Sequence, residues 1–199
     1  LINNGADVNA KNKDKNTPLH IICSQWGSQK LAIVKILIIN GALLNAKNRY
    51  GWTPLFSACN TNDPNGLDTI KELIKCGADV NVKDKDGYTP LHSICWDGII
   101  SRRLDILKEL VRCGANINIK NKNGNTPIHR ICSSGILEAQ DMLEEFIKNG
   151  ANINIKNKKK KSPLHYACHS IYTFNKIDIV KNLILNGVLI EKDNKGKTP

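Results

Sequence analysis

The chain is predicted to be an all-α solenoid of stacked helix-turn-helix units linked by β-turn fingers. Two phased markers and one periodic pattern predict it. Thr-Pro, once Ser-Pro, begins at Thr17, Thr53, Thr89, Thr126, Ser162 and Thr198, at intervals of 36, 36, 37, 36 and 36 residues. A Gly followed by a small residue keeps the same phase at Gly5, Gly41, Gly77, Gly114, Gly150 and Gly187. Between the markers, apolar residues recur at helical spacing, as in Ile70, Leu73, Ile74 and Ile106, Leu107, Leu110, Val111.

Each element follows from its residues. A Thr or Ser hydroxyl accepts an orphan backbone N–H at a helix start, and Pro at the next position has no N–H to lose. A short helix is therefore expected after each cap, ending soon after the phased Cys at 23, 59, 95, 132 and 168. A second helix then runs to the phased Gly, whose left-handed conformation stops it. Ala78-Asp79-Val80-Asn81 followed by Lys-Asp-Lys-Asp-Gly at 83–87 reads as a turn-bearing finger to the next unit. The helix pairs are expected at 17–41, 53–77, 89–114, 126–150 and 162–187 of one solenoid spanning 1–199. Residues 1–14 read as part of an earlier repeat and 188–199 as the start of a further one, so the end faces are expected to be apolar and incomplete.

Gly87-Tyr88-Thr89-Pro90-Leu91-His92, with Gly114-Ala115-Asn116-Ile117-Asn118 after Leu110, resembles the ankyrin repeat and its T-P-L-H and G-A-D-V-N segments. Phe56 stands where the pattern has His, Lys15 and Lys160 stand where the turn has Gly, and 188–193 fit poorly. The family unit is about 33 residues, and the longer spacing here places the extra residues between the two helices. Asp63-Pro64 reads as a cap and first-turn Pro, with Ser28, Ser101 and Thr173 as equivalents, so second helices about one turn longer are expected. Longer units with an AT-rich residue bias resemble those of large DNA viruses, intracellular bacteria and protists, which implies a host-directed adaptor in a host cytosol.

Composition narrows the function. The 199 residues are 41% hydrophobic, with formal charge +11 and seven cysteines, none spaced C-x-x-C. No apolar run is long enough for a membrane span. No basic-then-apolar leader opens the sequence, which predicts reduced thiols in a cytoplasmic compartment. The phased thiols, including Cys76 and Cys113 just before a Gly, read as small core hydrophobes, and His165-x-x-Cys168-His169 reads the same way rather than as a metal site. The resemblance assigns His20, His92, His129 and His165 to bracing the turn. Neither catalytic residues, a metal nor a cofactor is predicted.

A monomeric, non-enzymatic protein-binding scaffold or adaptor is the expected function. The resemblance places its contacts on finger tips and the exposed ends of first helices. The candidates are Arg49, Tyr50, Lys85 and Asp86 on the fingers, and Trp52, Tyr88, Asn125 and Lys161 just before a cap. Trp96 and Asp97 follow a phased Cys. Trp52, Tyr88 and Trp96 are expected to form one aromatic patch, and Trp26 to pack locally. The alternative rests on a basic ladder, Lys11/Lys13, Lys47/Arg49, Lys83/Lys85, Lys120/Lys122 and Lys156/Lys158, giving weak nucleic-acid or anionic-surface binding. It reads equally as a solvated row. The resemblance also implies Asn81, with Asn9 and Asn118 similar, as a substrate of an iron- and 2-oxoglutarate-dependent asparaginyl hydroxylase.

Overall fold

A computed structural model describes residues 5–96, 102–169 and 176–199. The chain forms two compact units, Leu1–Ile94 with Ile99–Gly114 and Cys95–Gly98 with Ala115–Pro199. Ten helices and no strand occur among the described residues, the all-α repeat class that the markers predict.

The first unit holds α1 (Pro18–Ser24), α2 (Lys30–Ile39), α3 (Pro54–Cys59), α4 (Gly66–Lys75), α5 (Pro90–Ser93) and α6 (Arg103–Arg112). First helices stack on first helices, α1 on α3 and α3 on α5, while α2 packs on α4 and α4 on α6. Leu19, Cys23, Val34, Leu55, Ile70, Leu73 and Leu107 fill the interior. The second unit repeats the arrangement with α7 (Pro127–Ile131), α8 (Ala139–Lys148), α9 (Pro163–His169) and α10 (Lys176–Leu185). There α7 packs on α9 and α8 on α10, around Ile128, Met142, Leu143, Phe146 and Leu183.

Each first helix starts where Thr-Pro puts it. Thr17, Thr53, Thr89 and Thr126 are extended N-caps followed by Pro. The His at the third helical position closes the cap. Thr17 N–H donates to His20 Nδ1 at 3.2 Å, and the Thr17 hydroxyl lies 2.8 Å from the same nitrogen. Nδ1 therefore accepts, and the proton sits on Nε2, 2.9 Å from the Trp52 carbonyl of the next finger. His129 reaches Lys161 O and His165 reaches Lys197 O in the same way. One side chain thus ties a helix start to the following repeat. Phe56 cannot make this bond, and it lies buried under Trp52 instead.

The second helices depart from expectation at their starts. All five are ten residues long, and α2, α4 and α6 begin three or four residues before Ile33, Ile70 and Ile106. Their N-caps, however, are Gln29, Asn65 and Arg102 rather than Ser28, Asp63 and Ser101. Asp63 instead closes a preceding turn, its carboxylate accepting Asn65 N–H and its carbonyl accepting Gly66 N–H. Ser101 and Thr173 lie outside the described residues.

Fingers are held by one acceptor each. Asn48 Oδ1 takes the N–H groups of Tyr50 and Trp52, and Asp84, Asn157 and Asp193 do the same for their own fingers. Successive fingers within a unit touch through backbone, with Lys85 N–H donating to Tyr50 O and Lys158 N–H to Asn123 O. That closeness makes Gly51 irreplaceable: its φ is +85°, and a Cβ there would sit 2.8 Å from Lys85 N. Gly77 shares the positive φ but has open space around it. Gly77→Ala should cost about 1 kcal/mol from backbone strain alone, whereas Gly51→Ala should cost about 2 kcal/mol or more because two backbones must separate as well. Urea midpoints of the two variants check this; equal losses would show that the finger contact contributes nothing.

Candidate functional site

The sequence candidates separate into side chains that hold the fold and side chains that are open to a partner. Arg49 and Tyr50 are exposed at a finger tip, with the guanidinium 5.0 Å from the ring centroid and 2.6 Å from Asp14 Oδ1. Lys85 and Asp86 are exposed on the next finger. Trp52 is half-buried, with its ring stacked on Phe56 at 5.0 Å and tilted against Tyr50 at 5.7 Å. Its inner face therefore belongs to the core and its outer edge to the surface. Tyr88 is half-buried and edge-on to His92 at 5.5 Å.

Trp96 belongs to the second unit, under the Arg130 guanidinium at 5.3 Å. Asp97 lies outside the described residues. Asn125 is tied into the fold, its Oδ1 accepting from Asn157 Nδ2 at 2.7 Å and from the Tyr166 hydroxyl at 3.1 Å. Lys161 is half-buried at a pocket of about 250 Å³, with Ser133, Lys159, His165, Tyr166 and His169 around it.

Two expectations are corrected. Trp26 does not pack locally; it is 66% exposed in the connection after α1, the tryptophan most open to solvent. It carries no repeat phase and stands between Gln25 and Gly27, so only its mismatch with a polar connection marks it. Cys76 and Cys113 are not core hydrophobes either. Cys76 is exposed and Cys113 partly so, because they are the C-caps of α4 and α6, past the apolar stripe, with thiols near Glu72 and Glu109.

The thiols of Cys23, Cys59, Cys95 and Cys132 are buried, and Cys168 is partly buried. Burial raises the thiol pKa of Cys23 to about 12 and also raises those of Cys59 and Cys132, so these groups remain protonated. Among the described residues no group of three or more His, Cys, Asp or Glu could hold a metal ion. No described helix is long and apolar enough to cross a membrane.

The basic ladder is partly structural. Lys47 Nζ donates to Lys83 O at 2.9 Å and Lys120 Nζ to Lys156 O at 3.1 Å, each reaching one repeat forward. Lys156 pairs with Glu191 and Arg49 with Asp14. Several rungs thus stitch finger to finger, and the pairs with Glu191 and Asp14 offset part of the ladder's positive charge. A second stitch comes from the finger asparagines. Asn118 Nδ2 donates to Gly150 O and its Oδ1 accepts Asn152 N–H. Asn9, Asn45 and Asn154 repeat both bonds, and Asn81 donates to Gly114 O.

A family model of ankyrin repeats matches residues 1–84, 63–139 and 99–194. The chain belongs to the ankyrin-repeat family. Curated proteins provide no match to it. Ankyrin repeats mediate protein–protein interaction and are typically non-enzymatic modules. The His braces, Asn stitches and Thr-Pro caps are thus parts of the ankyrin frame.

Proposed function

We propose that this ankyrin array is an adaptor that binds a partner protein through its finger tips and the exposed ends of its first helices. The observation that carries this reading is Tyr50, a large ring 47% exposed at a finger tip, flanked by Arg49 and followed on the next finger by exposed Lys85 and Asp86. Tyr and Arg together are frequent anchors of binding hot spots because they bury large area at low entropic cost. The aromatic patch begins at Tyr50 and the outer edge of Trp52, with Tyr88 as its proposed continuation in the first unit; Trp96 is a separate candidate in the second. Trp26, after the first helix of the first repeat, is added to the candidates. A cytoplasmic setting, and a host partner, remain part of this proposal.

Tyr50→Ala combined with Lys85→Ala tests the reading. Neither side chain is buried, and the Lys85 N–H bond to Tyr50 O survives both changes. The melting temperature should stay within a degree or two, while affinity for a partner captured by the wild type should fall about tenfold or more. Unchanged affinity would overturn the proposal. Steep loss of binding with salt in the wild type would instead favour the phosphate-binding alternative.

A further inference from the structure

The second unit carries an open pocket built from three separate elements. Ser133 comes from the connection after α7, Lys159 and Lys161 from the finger before α9, and His165, Tyr166 and His169 from α9 itself. We propose that this pocket receives the carboxylate of a Glu or Asp side chain presented by an acidic segment of a partner protein. The proposal rests on the adaptor reading above and adds the chemistry of the partner.

The floor is rigid and already satisfied. His165 Nδ1 accepts from Ser162 and its Nε2 donates to Lys197 O. The Tyr166 hydroxyl donates to Asn125 and accepts from Asn157, while its ring stands edge-on to His129 at 5.4 Å. The Ser133 hydroxyl donates to Arg130 O.

The rim is different. Lys159 and His169 are exposed and Lys161 is half-buried. Ion pairs among the described residues engage Lys30, Lys35, Arg49, Arg102, Arg112 and Lys156, and neither Lys159 nor Lys161. No carboxylate lines the pocket. The acid whose field reaches Lys161 is Asp193, and its Oδ1 is committed to the N–H groups of Lys195 and Lys197. Two lysines thus line one opening over a fixed, polar floor, and no carboxylate is among its lining residues.

The surroundings select the class of ligand. The fingers at 119–125 and 155–161 contain no Asp or Glu and seven lysines, of which Lys156 is paired with Glu191, so a net positive field extends past the pocket and suits a run of acidic residues. The fingers of the first unit differ, with Asp14, Asp84 and Asp86 among their lysines. Lysine ammonium groups take either a carboxylate or a phosphate as point charges, and a carboxylate is the anion that protein side chains carry without modification. Single-stranded nucleic acid needs open rings on which bases stack; Tyr166 is half-buried against His129, which leaves the imidazole of His169 as the pocket's one exposed ring. Lysine point charges around a small opening fit a carboxylate on a flexible chain.

The test is fluorescence anisotropy at moderate salt with four labelled probes: a short peptide of alternating Glu and Gly, its Gln counterpart, a phosphoserine counterpart and an oligothymidylate of similar charge. Wild type is compared with Lys159→Gln/Lys161→Gln and with Lys108→Gln/Lys148→Gln, which removes the same charge from exposed second-helix sites that line neither the pocket nor its fingers. The Glu peptide should bind the wild type, lose about tenfold in affinity with the pocket variant and less than about twofold with the control. The Gln peptide should not bind.

Equal losses in both variants, or tighter binding of the phosphoserine or thymidylate probe, would overturn the proposal. Captured protein partners separate this claim from the adaptor reading. A partner lost with Tyr50→Ala/Lys85→Ala but indifferent to Lys159→Gln/Lys161→Gln refutes the pocket and keeps the adaptor. A Glu peptide bound as stated, with partners indifferent to the Tyr50 variant, refutes the finger-tip reading and keeps the pocket.

Discussion

Lys30→Ala should remove about 3–5 kcal/mol of stability, a large fraction of what a chain of this size possesses. Lys30 opens α2, yet its side chain is 2% exposed, and Nζ lies 3.0 Å from both Asp63 Oδ2 and Cys23 O. The ammonium satisfies the carbonyl end of α1 and pairs with an acid of the next repeat. Removing it leaves the Asp63 carboxylate buried at 2% exposure without a counter-charge, and desolvation then opposes folding in full. Replacing both partners, Lys30→Met with Asp63→Leu, should recover most of the loss, because an apolar pair of similar volume carries no desolvation cost. Arg49→Ala, which breaks an exposed pair with Asp14, should change stability by less than about 1 kcal/mol. Urea denaturation of the three variants checks the ordering. A Lys30→Ala loss no larger than that of Arg49→Ala would show that the pair is solvated in solution.

Acidification below about pH 6.5 should weaken the second unit through a buried histidine. Burial lowers the pKa of His129 from about 6.5 to about 4, with the nearby Lys120 acting in the same direction and the bond to Lys161 O opposing both. Burial likewise lowers the pKa of His20. The sign follows from proton uptake. Between the two values the unfolded chain holds a proton that the folded chain does not, so stability is complete above about pH 6.5 and falls as pH drops towards about 4. For His129 alone the loss across that window is about 3 kcal/mol. Glu109 and Asp193, whose pKa values are lowered mainly by hydrogen bonds to Arg112 and to Lys197 N–H, add losses of the same sign, but at lower pH. The interval from pH 6.5 to 4.5 therefore reports on the histidines. His129→Phe, a change already present naturally at Phe56, should lower stability at pH 7 and flatten the slope through this interval. An unaltered slope would place the acid sensitivity elsewhere.

The frame was legible because its markers have local causes. A Thr cap, a first-turn Pro and a left-handed Gly act within four residues, so their phase alone places the helices. What escaped were the contacts made across the connection between a first helix and its second. Lys30, Arg103 and Lys176 look like ordinary solvated residues, yet each begins a second helix and turns back to a carbonyl at the end of the first: Cys23 O, Ile94 O and Cys168 O. A signal existed, since 103 − 30 and 176 − 103 both equal 73, the length of two repeats. Phased cysteines misled in the opposite direction. The same thiol is a core filler at Cys59 and a surface cap at Cys76, because burial depends on which side of the helix terminus the residue falls.

The candidate site was legible in position more than in role. Residues before the cap are solvent-facing in principle, but the neighbour decides. Trp52 stacks on Phe56, Asn125 holds Asn157, and Lys161 opens onto a pocket. Tyr50 and Lys85, one repeat apart on neighbouring fingers, remain the least committed to the fold.

The central claim is that recognition falls on the fingers and first helices while the second helices serve the stack. Hydrogen exchange of the chain, free and with a captured partner, tests it most directly. Slowed exchange should concentrate at 47–52, 83–88, 120–125 and 156–161 and at the ends of α1, α3, α7 and α9, with α4, α6 and α8 unchanged. Protection confined to α4, α6 and α8, with the fingers exchanging as in the free chain, would contradict the account.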